Sequence, residues 1–409
     1  MRTKTLVAAL AVGALVVPLT SAMSAPAAAP QARPCTAQWQ LVPLPEQAPG
    51  VVEGQTVSAI SPRDVRIAGT ASTGSAWTMR WDGRAVTETA APPQGPLRTI
   101  DGMRTSSSYA SPDEGWLLLN YPTRLTGGID TVAHWQNGRW TQTPTAVPDD
   151  PVADLEIDLL SVVSLAADDA WAVGTRSDAD GFPLGLIEHW NGSEWTIVDH
   201  PESTARGTAL HDVTAVSPTD IWAVGEVSPE TGSWTDARPL VMHYDGTSWT
   251  TIPTPEVPKE QRPAQLRSVS VTDDGQVWAV GLRNAAEGVF GTPLIMRYDG
   301  SAWQQLPDPG VGTRINVVGV YAAAKDDAWV VATDGSPNAL LHWDGTSWQR
   351  AEWPGPKLYR QRYIATDIDG TGPNDIWVSA SVQRMDGAGE GLVPVTVTPQ
   401  VAHLSCGKK

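Results

Sequence analysis

The sequence predicts an all-β fold, a seven-bladed β-propeller in which each blade is a sheet of four antiparallel strands. Two repeated motifs carry this prediction. The first is a polar turn, an acidic residue and an apolar strand headed by tryptophan, and it recurs seven times in the 409 residues. The second consists, in order, of an aromatic residue, the dipeptide Asp-Gly or Asn-Gly, two further residues and a tryptophan. Repeats with a period of about 50 residues are typical of solenoids and propellers.

The first motif is clearest at Asp220-Ile221-Trp222-Ala223-Val224-Gly225. Each copy has one anchor residue at the head of its strand, and successive anchors lie 48 to 56 residues apart. In the earliest copy arginine replaces the tryptophan. The anchors are Arg66, Trp116, Trp171, Trp222, Trp278, Trp329 and Trp377.

Each repeat is predicted to form four short strands. Around Trp222, an inner strand at 211–216 is followed by strands at 221–225, 240–244 and 249–253, with turn residues between them. Four-stranded sheets that stack around an axis bury both faces of every sheet, and closure of the ring leaves none uncovered. The repeats therefore predict one closed propeller rather than several domains.

Tryptophan is predicted to fill the space between blades. Of the 19 tryptophans, 16 occupy three recurring positions, which indicates packing because each indole buries a large area. Trp77, Trp234 and Trp353 fall outside these positions, so an argument for sugar binding depends on them. Recurrence also predicts a structural role for five histidines, at positions 134, 189, 243, 342 and 403. Of the other two, His200 is expected to be exposed and His211 to face the channel mouth.

The seventh repeat lacks a fourth strand. Residues 400–404 read as its third strand, and Trp39-Gln40-Leu41-Val42-Pro43, near the other end of the chain, reads as the missing one. We expect this N-terminal strand to close the last blade. Cys35 and Cys406 are the only cysteines and fall where the turn between these strands is interrupted. A disulfide between them is predicted, since an even pair in an exported protein is usually bonded.

The N-terminus predicts export. Arg2 and Lys4 precede an apolar run and then small residues, the pattern of a signal peptide. We expect a signal peptide at 1–29, cleaved between about 22 and 29, a disordered linker at 30–34, and the propeller at 35–409. The protein is thus expected to be secreted and extracellular.

The formal charge of −17 disfavours nucleic acid and anionic membranes as partners, because both are bound through basic surfaces. We therefore expect no nucleic-acid binding, no membrane insertion and a monomeric, soluble protein.

Together, the Asp-x-Trp-Ala-Val-Gly and His-Trp-Asn/Asp-Gly-x-x-Trp repeats resemble those of secreted actinobacterial seven-bladed propellers, over about residues 35 to 406. The chain is similar in this respect to kelch, sialidase-like and two-component-sensor propellers. The resemblance implies the architecture but not the functional sites of those families, because one fold hosts many functions.

One segment is a candidate metal site. Residues Asp367 to Asp375 resemble the Asp-x-Asp-Gly-x-Gly-x-x-Asp calcium loops of integrin-type repeats, with Thr371 in place of an acidic residue. Alternating oxygen ligands suit calcium, and Asp367, Asp369 and Asp375 are the candidate ligands. The alternative is a lengthened copy of the ordinary turn before Trp377. No other cofactor is expected.

Function is expected on the face that carries the long connections, between second and third strands and between blades. We call this the top face. A basic and aromatic link at 357–363 lies opposite an acidic stretch at 149–158; the alternative is that loops and charges are only solvated surface. The predicted ligand-binding residues are His211, Asp212, Trp234, Arg267, Tyr359, Arg360 and Arg362.

Two functional interpretations follow. The first is a non-catalytic propeller that binds a protein or glycan on its top face. The second is an extracellular carbohydrate-active enzyme, a glycoside hydrolase or polysaccharide lyase, with its site at the channel mouth. The sequence contains no Gly-x-Ser-x-Gly, His-Glu-x-x-His or phosphate-loop motif. Binding is favoured because it needs only surface chemistry, whereas catalysis needs a positioned constellation.

Overall fold

The computed structural model describes residues 37–45, 52–71, 76–93, 105–119, 131–146, 157–228, 234–285, 290–333, 339–355, 361–386 and 393–406. All of them belong to the compact unit Ala37–Lys409. They form seven sheets of four strands each, as the sequence predicts. Among these residues, no helix is long and apolar enough to cross a membrane.

The strands of each blade are antiparallel, and in blades one to six they follow chain order outward from the channel. The innermost strands of blades one to seven are β2 (Val52–Ser61), β6 (Thr105–Ser111), β10 (Ile157–Ala166), β14 (Thr208–Ser217), β18 (Ala264–Val271), β22 (Asn316–Ala324) and β26 (Gln361–Gly372). The second strands are β3 (Asp64–Ala71), β7 (Glu114–Leu119), β11 (Asp169–Ser177), β15 (Asp220–Val227), β19 (Val277–Arg283), β23 (Asp327–Thr333) and β27 (Asp375–Asp386).

The third and fourth strands complete the sheets. The third strands are β4 (Ala76–Trp81), β8 (Thr131–Gln136), β12 (Pro183–Trp190), β16 (Arg238–Tyr244), β20 (Thr292–Tyr298), β24 (Ala339–Trp343) and β28 (Val393–Ser405). The outer strands are β5 (Val86–Glu88), β9 (Arg139–Pro144), β13 (Trp195–Ile197), β17 (Trp249–Thr251), β21 (Trp303–Gln305), β25 (Trp348–Ala351) and, in blade seven, β1 (Gln38–Val42).

The last blade is closed by the N-terminal strand, as predicted. Its strand order is β1-β28-β27-β26, with Gln38 opposite Ser405 and Val42 opposite Val401. Cys406 follows β28 and is not a free thiol. Cys35 lies outside the described residues, so the Cys35–Cys406 disulfide stays a prediction.

The turns between third and fourth strands form because Asp-Gly and Asn-Gly suit them. At Asp245, one carboxylate oxygen accepts hydrogen bonds from the backbone N–H groups of Thr247, at 2.8 Å, and Ser248, at 2.9 Å. Gly246 has φ of 92°, a left-handed conformation that glycine adopts without a steric penalty. The same arrangement recurs at Asp299 and Asp344.

The core lies between blades, where the repeated tryptophans pack as predicted. Trp278 of blade five, for example, packs with Val320 and Trp343 of blade six. Two of the three tryptophans outside the recurring positions, Trp77 and Trp353, are also buried. Only Trp234 is exposed, with 50% of its surface accessible. Of these three tryptophans, Trp234 is therefore the one on which an argument for sugar binding can rest.

The repeated histidines are structural. In each of their five blades Nε2 lies 2.5 to 2.9 Å from the acidic residue that begins the second strand. Each ring also packs on the anchor tryptophan, most closely at Trp377 and His403, with centroids 3.8 Å apart. The histidine therefore joins the second and third strands of its own blade through the turn acid and the indole.

Blade one replaces this arrangement with an ion-pair cluster. Arg66 occupies the anchor position and Arg80 the position of the histidine, and both bond to Asp64, at 2.8 and 2.7 Å. The Arg66 guanidinium also lies 5.2 Å from the ring centroid of Tyr109 in blade two. The arginine that departs from the repeat pattern thus performs the same packing role with different chemistry.

Candidate functional site

The top face and the opposite face differ in how the chain turns. On the opposite face most inner strands connect to second strands through two residues, as at 62–63, 218–219 and 325–326. The top face carries longer connections, such as 178–182 in blade three. Of the three exposed large apolar side chains in the described residues, Phe182 and Trp234 lie on the top face, and Val216 lies near the opposite face.

In blade three, Phe182 and Arg206 form a stacked pair. Phe182 immediately precedes β12, and Arg206 lies two residues before β14. The guanidinium carbon is 4.6 Å from the ring centroid, a favourable cation–π distance. Phe182 remains 36% exposed and the Arg206 side chain 47% exposed. The pair therefore presents a ring and a guanidinium together to solvent.

Asp178 fixes this pair in position. Its Oδ1 atom accepts hydrogen bonds from the backbone N–H groups of Asp180 and Phe182, both at 2.9 Å, and its Oδ2 atom lies 2.6 Å from Nε of Arg206. Arg206 also donates to Asp180. Although burial opposes it, the hydrogen bonds from Phe182 and Asp180 and the nearby guanidinium lower the pKa of Asp178. The carboxylate therefore stays charged and holds the loop to the arginine.

The corresponding loop of blade four carries the exposed Trp234 and a carboxylate that bonds two arginines. Trp234 begins a short 3₁₀ turn, Trp234–Asp236. Asp236 accepts hydrogen bonds from Arg262, at 3.0 Å, and from Arg238, at 3.5 Å. The hydrogen bond from Arg262 is the main cause of the lowered pKa of Asp236. Arg262 lies two residues before β18, the same position relative to an inner strand as Arg206.

Blade five supplies a second stacked pair. The guanidinium carbon of Arg314 lies 5.5 Å from the ring centroid of Phe290, and Arg314 lies two residues before β22. We call Phe182 with Arg206 and Phe290 with Arg314 the aromatic–arginine pairs; in blade four, between them, Arg262 bonds to Asp236 in the turn that Trp234 begins.

Backbone hydrogen bonds bring the members of each pair together. The link into the next blade donates to the loop before the third strand: Gly207 to Pro183, Ala264 to Ala237 and Ile315 to Gly291, each at 2.9 Å. A main-chain contact beside each pair means that the aromatic residue and the arginine are positioned by the propeller itself. A similar main-chain contact thus recurs in three adjacent blades.

Two predicted residues, His211 and Arg267, lie at equivalent positions in neighbouring inner strands. Each is the extra residue of a β-bulge, between Leu210 and Asp212 in β14 and between Leu266 and Ser268 in β18. Bulges redirect side chains and are common beside functional sites. These two bulges lie toward the top ends of β14 and β18, in blades four and five.

Both bulge residues have polar partners. His211 Nε2 lies 2.6 Å from a carboxylate oxygen of Glu226. Arg267 donates to the side-chain oxygen of Asn316 in blade six at 2.6 Å. That these two residues bind a ligand together stays a prediction.

Asp212 holds the ring of inner strands together. It accepts hydrogen bonds from the Ser161 hydroxyl at 2.6 Å, from Val213 N–H at 3.0 Å and from Val269 N–H at 2.8 Å. Burial raises the pKa of this carboxyl. Its oxygens thus accept hydrogen bonds from three successive blades. Ser270 has a similar role, because its hydroxyl accepts a hydrogen bond from Ala322 N–H at 3.0 Å.

The remaining predicted contacts lie in or near the link into blade seven. Tyr359 and Arg360 fall outside the described residues, as does most of the acidic stretch at 149–158. Arg362 is exposed on β26. A ligand that crosses from blades four and five to this link stays a prediction, whereas the aromatic–arginine pairs all lie on blades three to five.

The candidate calcium ligands are not in a loop. Asp367 and Asp369 lie within β26 and accept hydrogen bonds from β2: Asp367 from Thr56 Oγ1 at 2.7 Å and Val57 N–H at 2.9 Å, and Asp369 from Ala59 N–H at 2.8 Å. Burial raises the pKa of Asp367 to about 7 and that of Asp369 to about 6. These carboxyls join blade seven to blade one.

Asp375 is the turn acid of blade seven, with His403 Nε2 at 2.6 Å. Among the described residues, no group of three or more His, Cys, Asp or Glu side chains is arranged to hold a metal ion. The predicted calcium loop is a strand end and an ordinary turn, so its resemblance to calcium-binding repeats does not extend to the geometry.

Several residues of the candidate site are not among the sequence predictions: Phe182, Arg206, Arg262 and Arg314. A sequence signal for the arginines exists, because each lies two residues before an inner strand in consecutive repeats. His200 also differs from expectation. It is buried, with Nε2 3.1 Å from the carbonyl oxygen of Gly185, and burial lowers its pKa.

Comparison with solved structures finds the same fold at low sequence identity. The chain is similar to YCF48 bound to a D1 peptide, with 14% identity and a TM-score of 0.53 over 91% of this chain and 95% of that one. YCF48 from Cyanidioschyzon merolae is 14% identical, with a TM-score of 0.53 over 90% of this chain and 98% of that one. A PL25 ulvan lyase, which is a polysaccharide lyase, is 9% identical, with a TM-score of 0.55 over 86% of this chain and 94% of that one.

These likenesses show the β-propeller fold. They show nothing more at such identities, since one fold supports many functions. No protein family matches the sequence, and no curated protein sequence matches it.

Proposed function

We propose that the protein is an exported, non-catalytic β-propeller that binds a protein or glycan on its top face, over blades three to five. The observation that carries this proposal is the exposure of Phe182 and Trp234 on top-face loops of adjacent blades, with an arginine stacked on Phe182. Exposed aromatic side chains held beside arginine are the residue types that dominate binding surfaces. A rigid scaffold that displays them on loops is a common design for recognition.

The positions of the exposed apolar residues support this face. Trp234 is 50% exposed and Phe182 is 36% exposed. A partner that covered these rings would remove them from water. Their loops are tied to the scaffold by ion pairs and backbone hydrogen bonds. A surface that is ordered before binding loses less conformational entropy when a ligand arrives. His211 and Arg267 extend this surface toward the channel.

Export is part of the proposal. In this proposal, residues 1–29 are a signal peptide, residues 30–34 a linker and residues 35–409 the propeller. The repeats resemble those of secreted actinobacterial propellers and, in this respect, of kelch and sialidase-like propellers. A Cys35–Cys406 disulfide fits an oxidising extracellular compartment. We propose a monomer that binds through side chains and needs no cofactor.

The experiment compares three purified proteins on a glycan array and in a pulldown of envelope proteins. They are the wild type, a top-face variant with Phe182→Ala, Trp234→Ala and Phe290→Ala, and the control Val216→Ala. Val216 is 44% exposed near the opposite face, so it matches the loss of exposed apolar surface. We expect the top-face variant alone to lose the ligand, with an unchanged melting temperature. A ligand held equally by all three proteins contradicts the proposed face.

The enzyme alternative rests on one observation at the channel mouth. His211 and Glu226 lie 2.6 Å apart, and a histidine–carboxylate pair is able to accept and return a proton. Arg267 occupies the equivalent bulge in the next blade. If the wild type releases reducing ends or unsaturated products from a polysaccharide, and His211→Ala does not, a glycoside hydrolase or polysaccharide lyase replaces the binding protein.

A further inference from the structure

We infer that the face opposite the top face is a second interaction surface, which binds a basic protein segment that carries an apolar side chain. This inference goes beyond the proposed function, because it concerns the other end of the channel and a different ligand. Two features of the described residues carry it. The first is a ring of apolar side chains around the channel mouth, and the second is the negative charge of the turns beside that ring.

The apolar side chains come from a repeated irregularity in the inner strands. In six of the seven inner strands, the register shifts by one residue close to the turn into the second strand. The extra residue of such a β-bulge is redirected, and bulges are common beside functional sites. Five of the six extra residues are apolar, and none of the five is buried. We call them the apolar ring: Ile60, Ala110, Leu165, Val216 and Ala323.

The members of the apolar ring are not scattered over the surface. The inner strands surround the channel, and the five residues precede the same turn in blades one, two, three, four and six. Val216 is the most exposed of them, at 44%. Single exposed apolar residues are ordinary, whereas apolar residues grouped at one opening indicate an interaction site. A partner that places an apolar side chain at this opening removes the ring from water.

The turns on the same face are strongly acidic in blades three to six. They contain eight exposed acidic residues and one basic residue, Lys325. Lys325 lies 3.8 Å from Asp326, which also pairs at 3.4 Å with Arg297, a side chain that is 20% exposed. We call the eight residues the acidic sector: Asp168, Glu194, Asp245, Asp273, Asp274, Asp299, Asp326 and Asp344.

The turns fix several of these carboxylates in place. Asp245, Asp299 and Asp344 each accept two backbone N–H hydrogen bonds through one oxygen. Hydrogen bonds from the Thr247 and Ser301 hydroxyl groups and from the backbone lower the pKa of Asp245 and Asp299 to about 2. The sector is therefore charged and ordered before a partner arrives, which reduces the entropy lost on binding.

Charge complementarity selects the partner. A cationic segment is attracted by the acidic sector, and an apolar side chain within that segment reaches the ring beside it. An anionic membrane is repelled by the same carboxylates. A second copy of the chain would bring acidic turns against acidic turns, which is unfavourable. Of these occupants, the basic segment with an apolar side chain is the one that fits both features.

The test is a fluorescence anisotropy titration of labelled synthetic peptides with the full-length protein at low salt. The first peptide consists of three Lys-Lys-Leu units, the second of nine lysines and the third of three Glu-Glu-Leu units. We expect the Lys-Lys-Leu peptide to bind most tightly, the lysine peptide more weakly and the Glu-Glu-Leu peptide not at all. Added salt should weaken binding, because it screens exposed charges.

A triple variant locates the charged part of the surface. Asp245→Asn, Asp299→Asn and Asp344→Asn together remove three carboxylates of the acidic sector. The turns should persist, because Asn191 already accepts the Ser193 backbone N–H at 3.0 Å in the corresponding turn of blade three. We expect this variant to bind both lysine-containing peptides about 10-fold more weakly than wild type.

Two further variants provide the controls. Glu88→Gln, Asp199→Asn and Glu256→Gln together remove the same charge from exposed positions outside these turns, and this variant should bind as wild type does. Val216→Ser should weaken binding of the Lys-Lys-Leu peptide by about 3-fold and leave the lysine peptide unaffected. The top-face variant with alanine at the three aromatic positions should bind the peptides as wild type does.

The outcomes decide the inference without reference to the top face. If the Lys-Lys-Leu peptide does not bind, or if the two charge variants weaken binding equally, the acidic sector is not a site and the inference is wrong. It is also wrong if Val216→Ser weakens neither peptide, because the apolar ring then contributes nothing. If sedimentation shows a dimer of the wild type that Val216→Ser dissociates, a second copy occupies this face instead. None of these results affects a ligand that the top-face variant loses.

Discussion

The Nε2 atom of His243 lies 2.8 Å from Oδ1 of Asp220, the oxygen that also accepts a hydrogen bond from the Trp222 indole at 2.8 Å. One carboxylate oxygen thus joins the start of the second strand, its anchor tryptophan and the third strand of blade four. Equivalent acid–histidine contacts occur in four other blades. These histidines hold blades together, which leaves His200 and His211 as the two histidines with different, non-repeated settings.

The first prediction concerns this contact. A double-mutant cycle of Asp220→Ala and His243→Ala should give a coupling free energy of about 1 kcal/mol, because each side chain satisfies the other's hydrogen bond. Chemical denaturation of the four proteins measures it. The matched control pairs Asp220→Ala with His403→Ala, which has the same chemistry in blade seven. That distant pair should be additive; coupling that is the same in both cycles contradicts the assignment.

The second prediction separates framework from surface tryptophan. Trp222→Ala should lower the free energy of unfolding by about 3 to 5 kcal/mol, because it leaves a cavity between blades four and five. Trp234→Ala should change it by less than about 0.5 kcal/mol, because that ring is already half exposed. Denaturant titration of both variants measures these changes in the free energy of unfolding. Equal losses of stability would show that Trp234 is part of the core, and its role in binding would then need a new basis.

The repeat made the fold predictable. The two motifs, a tryptophan beside a turn acid and an Asp-Gly turn whose aspartate lies four residues before another tryptophan, form contacts within one blade or with its neighbour. Trp222, Asp220 and Gly246 are examples, and each occupies the predicted position. Even the closure by Trp39-Gln40-Leu41-Val42 follows from counting strands in the last repeat. Local patterns that recur seven times leave little ambiguity.

The candidate site was less predictable because its residues meet across segments that the repeat pattern does not relate. Phe182 and Arg206 are 24 residues apart, in a loop and a link, and only the folded chain shows the ring beneath the guanidinium. The calcium interpretation was wrong in geometry for a similar reason. Asp367 and Asp369 read as loop ligands, but the bulged strand β26 continues through them, and β2 supplies the donors that bond them.

The third prediction is the disulfide. Cys35 and Cys406 should be bonded in the exported protein, and the bond should stabilise it by roughly 3 to 5 kcal/mol, because the loop that it closes spans several hundred residues. Mass spectrometry after alkylation, with and without a reductant, detects the bond. The variant Cys35→Ser/Cys406→Ser should fold but melt at a lower temperature. Alkylation of both cysteines in the folded, non-reduced protein would show that the thiols are free.

The fourth prediction is a pH dependence of stability that Asp367 causes. Burial raises its pKa to about 7 in the folded protein, from an ordinary value of 3.8. Between these values the folded state binds a proton that the unfolded state has lost. Stability must therefore decrease as the pH rises through this window, by at most about 1.4 kcal/mol per pH unit for this group. Asp369, with a pKa raised to about 6, acts in the same direction at lower pH.

From about pH 6 to pH 8 Asp367 contributes more of this change than Asp369, because Asp369 is already about half ionised at pH 6. The free energy of unfolding of the wild type should fall across this window, and that of Asp367→Asn should fall less steeply, because the amide does not titrate. The control is Asp245→Asn. Asp245 is in an exposed turn, where the hydrogen bond from the Thr247 hydroxyl and those from backbone N–H groups lower its pKa to about 2, so its substitution should shift the curve without changing the slope. Parallel curves for wild type and Asp367→Asn would mean that Asp367 is already ionised at pH 6. The hydrogen bonds from Thr56 and Val57 would then outweigh the cost of burying its charge.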